Sequence, residues 1–597
     1  MVPAANGDTT TRKDVLVLAV WFGLLTGFVE GAIFLRMQHL RVPEMLWMPA
    51  AVDVVLALFL ALPIMALRNA LAGRPALILR VACLYSWLMI FDWMRVSHPN
   101  VSATVALMIA LLLALAITVS FRLPFVARFP RRSLPWLAVM AAGCVIGVTV
   151  GQHIRESRQI AGLPASRPGS PNVLVVVIDT LRADHLSTYG YGRPTSPSLT
   201  RLAQGGVLFE NAVAPSSWTL PSHASMLTGL YPHEHGAQQL SSAMDRRYPT
   251  LGEFFQHLGY RTAAFSGSTY FFCRRTGLAR GFIHFEDDFE SAASALPQSY
   301  WGERVEKLLY RVQLRRNRLG RRSAREINEH ALRWIDSGHQ PFLAFLNYYD
   351  THDPYLPPEP YLHRYSRLPN PGGRIALAWD WFVGLTPEER QGQMDAYDGA
   401  IEYVDAELGN LLRELAKRGL DKNTLVVITS DHGESFNEHG TMGHLSGLYR
   451  ELIHVPLVLW QPAKMPAGIR IDASVSIASV PATLASLVDG GIPGPFPGDL
   501  LQSAWTNGQF APAVSELAQM KLTPLFPNYY GALTSVTTNE WHYIAGGKAG
   551  EELFRCCGAG RETENVANTA QGKRICESFK KQLELVTEPR LASVPRN

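Results

Sequence analysis

The sequence predicts an α/β domain with a central, mostly parallel sheet and helices on both faces. It also predicts a helical transmembrane bundle before this domain and a small C-terminal subdomain after it. Two runs of β-branched and aliphatic residues, which begin at Asn172 and Thr424, each stop at an aspartate. Such runs are typical of strands buried on both faces of a parallel sheet. The apolar excess lies in the first quarter of the 597 residues, which indicates the bundle.

About five apolar stretches have nearly the length needed to span a membrane. They are approximately Val15–Leu35, Leu46–Leu67, Ala76–Trp93, Val101–Phe121 and Leu134–Gly151. The first stretch is not followed by a small-residue cleavage site, so we do not interpret it as a removable signal peptide. The sequence therefore predicts a multi-pass membrane protein.

Basic residues in the short loops predict the orientation of the bundle. With the N-terminus inside, the inner loops hold Arg12, Lys13, Arg68, Arg74, Arg122, Arg128, Arg131 and Arg132. The outer loops hold only Arg36, Arg41 and Arg95. This asymmetry predicts a cytoplasmic N-terminus. Because the number of spans is odd, everything after Gly151 is then periplasmic or extracellular.

Three acids interrupt the apolar stretches: Glu30, Asp53 and Asp92. In the predicted orientation all three fall toward the outer leaflet. Two interpretations stay open. The acids could line a headgroup or substrate entry site, or they could snorkel or pair with the arginines of the outer loops.

Composition and turn signals divide the chain into five segments. They are a cytoplasmic tail (1–14), the bundle (15–152), a Pro-rich linker (153–171), the catalytic domain (172–495) and the C-terminal subdomain (496–597). Within the catalytic domain one helix is well signalled, with Thr386 as N-cap, Pro387 at the first position and Glu389 completing a capping box. In the subdomain, Trp541–Ile544 and Glu552–Phe554 indicate strands.

The strongest site signal is a set of polar residues at predicted strand and helix ends. Asp179 ends the first buried strand, and Asp431 and His432 end the second. Thr219 lies just ahead of a helix that Pro221 opens. Ligands bind at the carboxyl ends of strands in α/β sheets, and helix N-termini favour anions. An oxygen-rich set with one imidazole predicts a divalent cation: manganese, zinc, calcium or magnesium, with a slight preference for manganese or zinc.

Four motifs carry a family resemblance. They are Asp179-Thr180-Leu181-Arg182-Ala183-Asp184, Thr219-Leu220-Pro221-Ser222-His223-Ala224-Ser225-Met226-Leu227-Thr228-Gly229, His352-Asp353-Pro354-Tyr355 and Ser430-Asp431-His432-Gly433-Glu434. In this order, from Asn172 to about Pro495, they resemble the sulfatase family of the alkaline phosphatase superfamily. The resemblance implies a sulfatase-like α/β sandwich that hydrolyses or transfers ester groups.

The resemblance also implies roles for single residues. One metal would be held by Asp179, Asp431, His432 and the nucleophile Thr219. The implied catalytic residues are Thr219, His223, His352 and His444. His439 is a weaker candidate for the same pocket, and His235 is interpreted as structural.

Two departures from the family pattern change the expected chemistry. Sulfatases carry a cysteine or serine at the position of Thr219, which is converted to formylglycine, whereas threonine cannot be converted. Thr180 stands where many sulfatases have a second metal-binding aspartate. Both departures resemble the phosphoester branch of the superfamily, which includes lipid-headgroup transferases with a threonine nucleophile and an N-terminal membrane bundle.

We therefore expect a metal-dependent hydrolase of phosphate- or sulfate-type esters, phosphoesters favoured, that works through a covalent Thr219 intermediate. Its expected partners are an ester substrate, with lipid headgroups and glycans as candidates, and membrane lipids. The net charge of +4 gives no reason to expect nucleic acid. Two alternatives stay open: a phosphoethanolamine- or phosphoglycerol-type headgroup transferase, and an inactive membrane scaffold. Spacing also leaves open the disulfide pairing among Cys556, Cys557 and Cys576.

Overall fold

The chain forms two compact units, each described separately below. One unit comprises residues 1–158 together with 289–320, and the other comprises residues 159–288 together with 321–597. The structure, a computed structural model, describes residues 11–37, 42–67, 77–240, 242–267, 271–287, 293–311, 321–372, 385–462, 464–491, 494–506, 510–556 and 562–587.

The first unit is built from apolar helices. They are α1 (Arg12–Met37), α2 (Met48–Ala66), α3 (Leu77–Ser97), α4 (Ala103–Ser120) and α5 (Pro124–Ala161). In the described part of the chain, these five helices are long and apolar enough to cross a membrane. They coincide with the five predicted stretches, except that α5 is 38 residues long: it begins before Leu134 and runs to Ala161, so the first part of the predicted linker 153–171 is helical. The composition of these helices indicates membrane anchoring.

The first unit also contains a segment from the middle of the sequence. Helix α10 (Tyr300–Arg311) and the short turn Ala293–Gln298 pack on the bundle. Ala295 joins an apolar cluster with Met45, Met48 and Val52, so the segment 293–311 shares a core with the N-terminal helices. Its amphipathic sequence did not reveal this placement, because the partner residues lie some 250 positions away.

The second unit is organised around an eight-stranded sheet in the order β10-β2-β9-β6-β1-β5-β3-β4. The strands are β1 (Asn172–Ile178), β2 (Val207–Val213), β3 (Arg261–Ser266), β4 (His284–Glu286), β5 (Phe342–Tyr348), β6 (Thr424–Thr429), β9 (His454–Trp460) and β10 (Ile469–Ser476). The short strands β7 (Ser435–Phe436) and β8 (Met442–Gly443) form a separate hairpin. Strand β9 is antiparallel to both of its neighbours, while the other pairs are parallel.

Helices cover both faces of this sheet. They are α6 (Pro197–Gln204), α7 (Thr219–Thr228), α8 (Pro232–His235), α9 (Leu251–His257), α11 (Ala324–Asp336), α12 (Pro387–Lys417), α13 (Arg450–Ile453) and α14 (Val480–Val488). Alternate residues of β1 serve the two cores: Val175 packs with α7 and α14, and Val176 packs with α11 and α12. The predicted α/β fold with a mostly parallel sheet is confirmed.

Helix α12 begins where the sequence predicts. The Thr386 hydroxyl accepts a hydrogen bond from Glu389 N, and the Glu389 carboxylate accepts one from Thr386 N. Pro387 occupies the first position, where its missing N–H costs nothing.

The C-terminal part forms an antiparallel sheet in the order β11-β12-β13-β14, with one helix, α15 (Ala570–Thr587). Its strands are β11 (Ala513–Leu517), β12 (Leu533–Thr537), β13 (Trp541–Gly546) and β14 (Gly550–Arg555). The last two contain the predicted strand segments. Cys557, one of the three cysteines whose pairing the sequence leaves open, lies outside the described residues.

Candidate active site and metal centre

The topology places three adjacent strand ends at one edge of the sheet. Strand β1 lies between β5 and β6 and is parallel to both, with Val177 opposite Asn347 on one side and Thr429 on the other. The residues that follow these strands therefore meet, although those after β1 lie more than 150 positions before those after β5 and β6. The edge brings Asp179 next to Asp431.

Three potential metal ligands converge at this edge. One donor atom from each of Asp179, Asp431 and His432 lies within 4.8 Å of the other two, and all three side chains are buried. His432 Nε2 lies 3.7 Å from Asp179 Oδ1 and 3.5 Å from Asp431 Oδ2. His432 Nδ1 donates to the Gly433 carbonyl at 2.9 Å, which leaves the lone pair of Nε2 pointing at the carboxylates.

These donors fit a divalent cation. Both oxygens of Asp179 and Oδ2 of Asp431 are buried without a hydrogen-bond partner among the described residues. Burial, together with the charges of Asp431 and Glu434, raises the pKa of Asp179 well above its ordinary value. Burial lowers the pKa of His432 to about 4, which keeps the imidazole neutral, as a metal ligand must be. A cation would satisfy the orphaned oxygens and remove the repulsion between the carboxylates.

The candidate nucleophile lies beside these ligands. Thr219 is the first residue of α7, is 3% exposed, and places Oγ1 at 3.4 Å from His432 Nε2. Helix α7 is held against the end of β6, because the Ser222 hydroxyl donates to the Asp431 carbonyl at 2.6 Å. The hydroxyl, the N-terminal end of a helix and the ligand set thus form one buried site.

Thr180 has turned away from the ligand set. Its hydroxyl lies 2.7 Å from each of two backbone carbonyls, those of Asp179 and Thr351. Its φ angle is +59°, a left-handed conformation that is unusual for a β-branched residue. Its N–H donates to Asp431 Oδ1 at 3.3 Å. Thr180 therefore supports Asp431 through the backbone, while its hydroxyl is engaged by main-chain oxygens.

His223 lies directly behind the ligands. Its Nδ1 lies 2.9 Å from the Thr219 carbonyl and 3.3 Å from Asp431 Oδ2. On the other side, Asn347 Nδ2 lies 3.3 Å from His223 Nε2. His223 is fully buried, and Phe272 packs on its ring at 4.6 Å. It is placed to orient Asp431 and the start of α7.

His352 and His444 form the other wall of the site. Their rings lie 4.9 Å apart, and the His444 ring lies 4.7 Å from that of His432. His444 Nδ1 lies 3.0 Å from Glu434 Oε1, and Tyr355 donates to the other oxygen of Glu434 at 3.0 Å. His352 keeps 13% of its side chain exposed, so of these two histidines it has the better access to solvent.

Three supporting residues were not predicted as site residues: Asn347, Glu434 and Arg321. The Arg321 guanidinium donates to the backbone carbonyls of Pro354, Tyr349, Asp350 and His352. It therefore fixes the loop that carries His352. Arginine recognition of main-chain carbonyls has no sequence pattern, whereas Glu434 could have been found, because it is the last residue of the Ser430–Glu434 motif.

The remaining two histidines have other partners. His439 uses both ring nitrogens on Glu451 Oε1 and the Glu562 carbonyl, at 2.8 and 2.9 Å. His235 is fully buried and contacts the Ser225 hydroxyl at 3.1 Å, which agrees with a structural role under α7.

This arrangement defines a class. Acidic and imidazole ligands at parallel strand ends, with a hydroxyl at a facing helix N-terminus, characterise metal-dependent ester hydrolases of the alkaline phosphatase type.

Comparisons with known proteins give the family. A family model described as Sulfatase matches residues 171–490. An arylsulfatase of Clostridium perfringens is 25% identical over 373 residues, covering 54% of this chain and 76% of that protein. The multifunctional alkaline phosphatase superfamily protein PehA of Trinickia caryophylli is 27% identical over 348 residues, covering 48% and 68%.

Solved structures show the same fold. Phosphonate monoester hydrolases of Agrobacterium radiobacter and Silicibacter pomeroyi superpose with TM-scores of 0.53 and 0.55, at 21% and 22% identity. Each alignment covers 70% of this chain and 95% of the other. The chain belongs to the sulfatase family and is an ester hydrolase of the alkaline phosphatase superfamily.

Proposed function

We propose that this chain cleaves phosphoesters through a covalent phosphothreonine at Thr219. The observation that supports this most directly is the buried Thr219 hydroxyl, 3.4 Å from His432 Nε2 at the N-terminus of α7. A threonine cannot supply the aldehyde hydrate by which formylglycine sulfatases release sulfate. It can act as an ordinary alcohol nucleophile, which requires a second attack on the same phosphorus.

The reaction has two displacements. Thr219 loses its proton to water and attacks phosphorus, so that a Thr219–phosphorus bond forms while the bond to the leaving oxygen breaks. His352 or His444 protonates that oxygen. Water then attacks phosphorus and gives a proton to the same imidazole, while the bond from phosphorus to the threonine oxygen breaks and that oxygen takes back a proton from water. When bound at Asp179, Asp431 and His432, a divalent cation would supply Lewis-acid stabilisation of oxygen charge.

Charge indicates the substrate class. Among the described residues, neither Asp179 nor Asp431 forms an ion pair with a lysine or arginine, so one cation would be balanced by two carboxylates. Such a site has little surplus positive charge for a dianionic ester. We therefore propose monoanionic substrates, phosphodiesters or phosphonate monoesters, ahead of phosphate monoesters. We also propose that the N-terminus is cytoplasmic and the catalytic domain external, where lipid headgroups and glycans are candidate substrates.

The test uses the purified full chain in detergent. Aryl phosphodiester, phosphonate, phosphate and sulfate esters with one leaving group are compared with manganese, zinc, calcium and magnesium, alongside Thr219→Ala. We expect the two monoanionic phosphorus esters to react fastest and the variant to be inactive. Sulfate turnover alone, or full activity of Thr219→Ala, would contradict the proposal.

The membrane bundle favours the headgroup-transferase alternative. One further measurement distinguishes a transferase from a hydrolase. With an added alcohol, a transferase gives a new phosphodiester at the expense of water-dependent product. The scaffold alternative predicts no turnover and no bound metal at Asp431.

A further inference from the structure

A second group of acidic residues meets inside the first unit. Glu30 on α1, Asp53 on α2 and Asp92 on α3 each place a carboxylate oxygen within 4.8 Å of the other two. Their exposed fractions are 0%, 5% and 0%, so the cluster is closed off from solvent. Three helices therefore converge on one point at which each contributes a negative charge.

The carboxylates are only partly balanced by basic side chains, because the charge of Arg304 acts on Glu30 and Asp92 without a direct ion pair. Within the described residues, none of the three forms an ion pair, and Arg95 instead donates to the Pro99 and Val101 carbonyls. Arg41 lies outside the described residues. The pairing with outer-loop arginines that one sequence interpretation proposed is therefore not found for Arg36 or Arg95.

Most of the acidic oxygens are also without hydrogen bonds. Glu30 Oε1 accepts from Tyr300 N at 2.6 Å, but Glu30 Oε2 and both oxygens of Asp53 and Asp92 have no well-formed hydrogen bond. One oxygen from each of the three residues lies in the cluster, so Asp53 and Asp92 each present an unbonded, buried oxygen to it. The polar group beside Asp53 is the Ser299 hydroxyl, which also accepts from Gly302 N at 3.0 Å.

We propose that Glu30, Asp53 and Asp92 bind a divalent cation, of which calcium fits best. Most of the cluster oxygens have no hydrogen-bond partner among the described residues, and a cation would satisfy them. An organic amine would need an opening for the rest of its molecule, whereas the carboxylates are closed off. Three carboxylates, each able to bind through one or both oxygens, and a neighbouring hydroxyl give an all-oxygen set of the kind that calcium takes. The all-oxygen set distinguishes this site from the Asp431 site, which has an imidazole.

Such an ion would fasten the segment 293–311 to the bundle. Tyr300 binds Glu30 through its backbone and packs against Phe91 at 6.1 Å, while Trp301 packs on the same ring at 5.8 Å. The Arg304 guanidinium lies over the Tyr300 ring and donates to its carbonyl at 2.9 Å. A cation would relieve the repulsion among the three carboxylates and hold α1, α2 and α3 together beside this segment, so the ion is expected to raise thermal stability.

The direct test measures bound calcium in the full chain, purified in detergent, stripped with chelator and then equilibrated with calcium. The background variant Asp431→Asn with His432→Gln removes ligands of the catalytic centre. We expect this variant to keep one calcium per chain, and Asp53→Asn or Asp92→Asn added to it to lose that ion. Asp14→Asn is the matched control, because Asp14 is a buried acid of the same bundle that pairs with Arg131 and caps α1.

A second measurement needs no change in the cluster. Terbium, a luminescent stand-in for calcium, should be sensitised by Trp301 and Trp93 in the background variant and displaced by calcium but not by ethanolamine. Absence of sensitised emission, retention of calcium by both aspartate variants, or displacement by ethanolamine would each overturn the proposal. Activity is not the readout, so failure here leaves the phosphoester proposal standing.

Discussion

At the residue scale, the most informative side chain is Thr219. The proposed chemistry needs an oxygen nucleophile at this position, and a methyl group cannot replace it. We expect Thr219→Ala to lower kcat for an aryl phosphodiester by at least about 10³-fold. Thr219→Ser should keep activity within roughly tenfold, since the oxygen stays. Steady-state kinetics of the full chain give both values.

The matched control is Thr228→Ala at the other end of α7. The Thr228 hydroxyl is also buried, but it donates to the Ala224 carbonyl at 2.7 Å rather than facing the ligands. This variant should keep nearly full activity. If it falls as far as Thr219→Ala, the loss reflects damage to the helix and the nucleophile assignment is lost.

At the same scale, two histidines can be compared to distinguish a role in catalysis from a role in structural support. His444 lies against His432, whereas His439 is bound to Glu451 and Glu562. If His444 protonates the leaving oxygen, His444→Ala should slow alkyl esters by about 10² to 10⁴-fold and aryl esters of acidic phenols far less. His439→Ala should change both substrates equally. Rates across a leaving-group series measure this, and equal slopes for both variants would assign the proton to His352 instead.

The sequence located individual ligands better than their supports. Asp179, Asp431 and His432 could be placed because strand ends at one sheet edge converge whatever the loops do. Arg321 could not, because it binds carbonyls of a loop whose course depends on tertiary packing. His439 was a weak pocket candidate from its motif alone, and only the folded chain shows that both of its nitrogens have other partners.

At the element scale, His439 ties the turn between β7 and β8 to α13 and to the C-terminal part. Burial alone would lower the pKa of His439, but the hydrogen bond and charge of Glu451 outweigh it and raise the pKa to about 9. Because the pKa of His439 is higher in the folded than in the unfolded chain, its protonation stabilises the folded state. This stabilisation is complete below the unfolded pKa of about 6.5 and is lost as the pH rises through about 9. We expect His439→Gln to cost about 1–2 kcal/mol at pH 6 and much less at pH 10.

Denaturant unfolding of wild type and His439→Gln at several pH values measures this difference. His363→Gln serves as the control, because His363 pairs with Glu359 on the surface and should contribute little at any pH. A cost for His439→Gln that stays constant from pH 6 to 10 would show that the ring contributes by packing on Tyr449 rather than by charge.

A second element-scale prediction concerns the close approach of the Asp431 loop to α13. Gly433 N donates to the Leu452 carbonyl at 2.8 Å, and a Cβ on Gly433 would lie 2.0 Å from the Glu451 carbonyl oxygen. Since that oxygen is backbone, Gly433→Ala must push the loop away. We expect a loss of about 1–3 kcal/mol in stability and weaker metal binding. Thermal unfolding and metal titration test this, with Gly192→Ala, whose Cβ meets open space, as the control. Equal metal affinity in both variants would contradict it.

A sequence signal predicts the boundary of an element well when all of its residues are neighbours in sequence. The start of α12 followed from Thr386, Pro387 and Glu389 because a capping box involves only neighbours in sequence. The antiparallel direction of β9 and the packing of the segment 293–311 on the bundle depend on contacts with distant residues. Such pairings are set by burial of whole faces, which a single sequence does not specify.

At the scale of the whole molecule, the five apolar helices were predictable from composition, and the level of the three acids followed from helix lengths. The convergence of the three acids on one point was not predictable, because the order of helices around a bundle leaves no periodic signal in a sequence. If both cation proposals hold, the chain carries two ions of different chemistry, one with an imidazole ligand and one with oxygen ligands alone. Metal analysis should then give two ions for the wild-type chain and one for each cluster variant. The same number of ions in the wild type and in every cluster variant would exclude the second site.

Orientation is the last whole-molecule prediction. The excess of basic residues in alternate loops predicts a cytoplasmic N-terminus and an external catalytic domain. In a Cys557→Ser background, Gly192→Cys on the exposed surface of the second unit should react with a membrane-impermeant maleimide in intact cells. Lys13→Cys, exposed at the start of α1, should react only after permeabilisation. The reversed pattern would place the site in the cytoplasm and redirect the search for substrates to phosphoesters of that compartment. Labelling of both positions in intact cells would instead mean that the membrane was breached, and the Cys557→Ser chain without either new cysteine supplies the background against which each signal is measured.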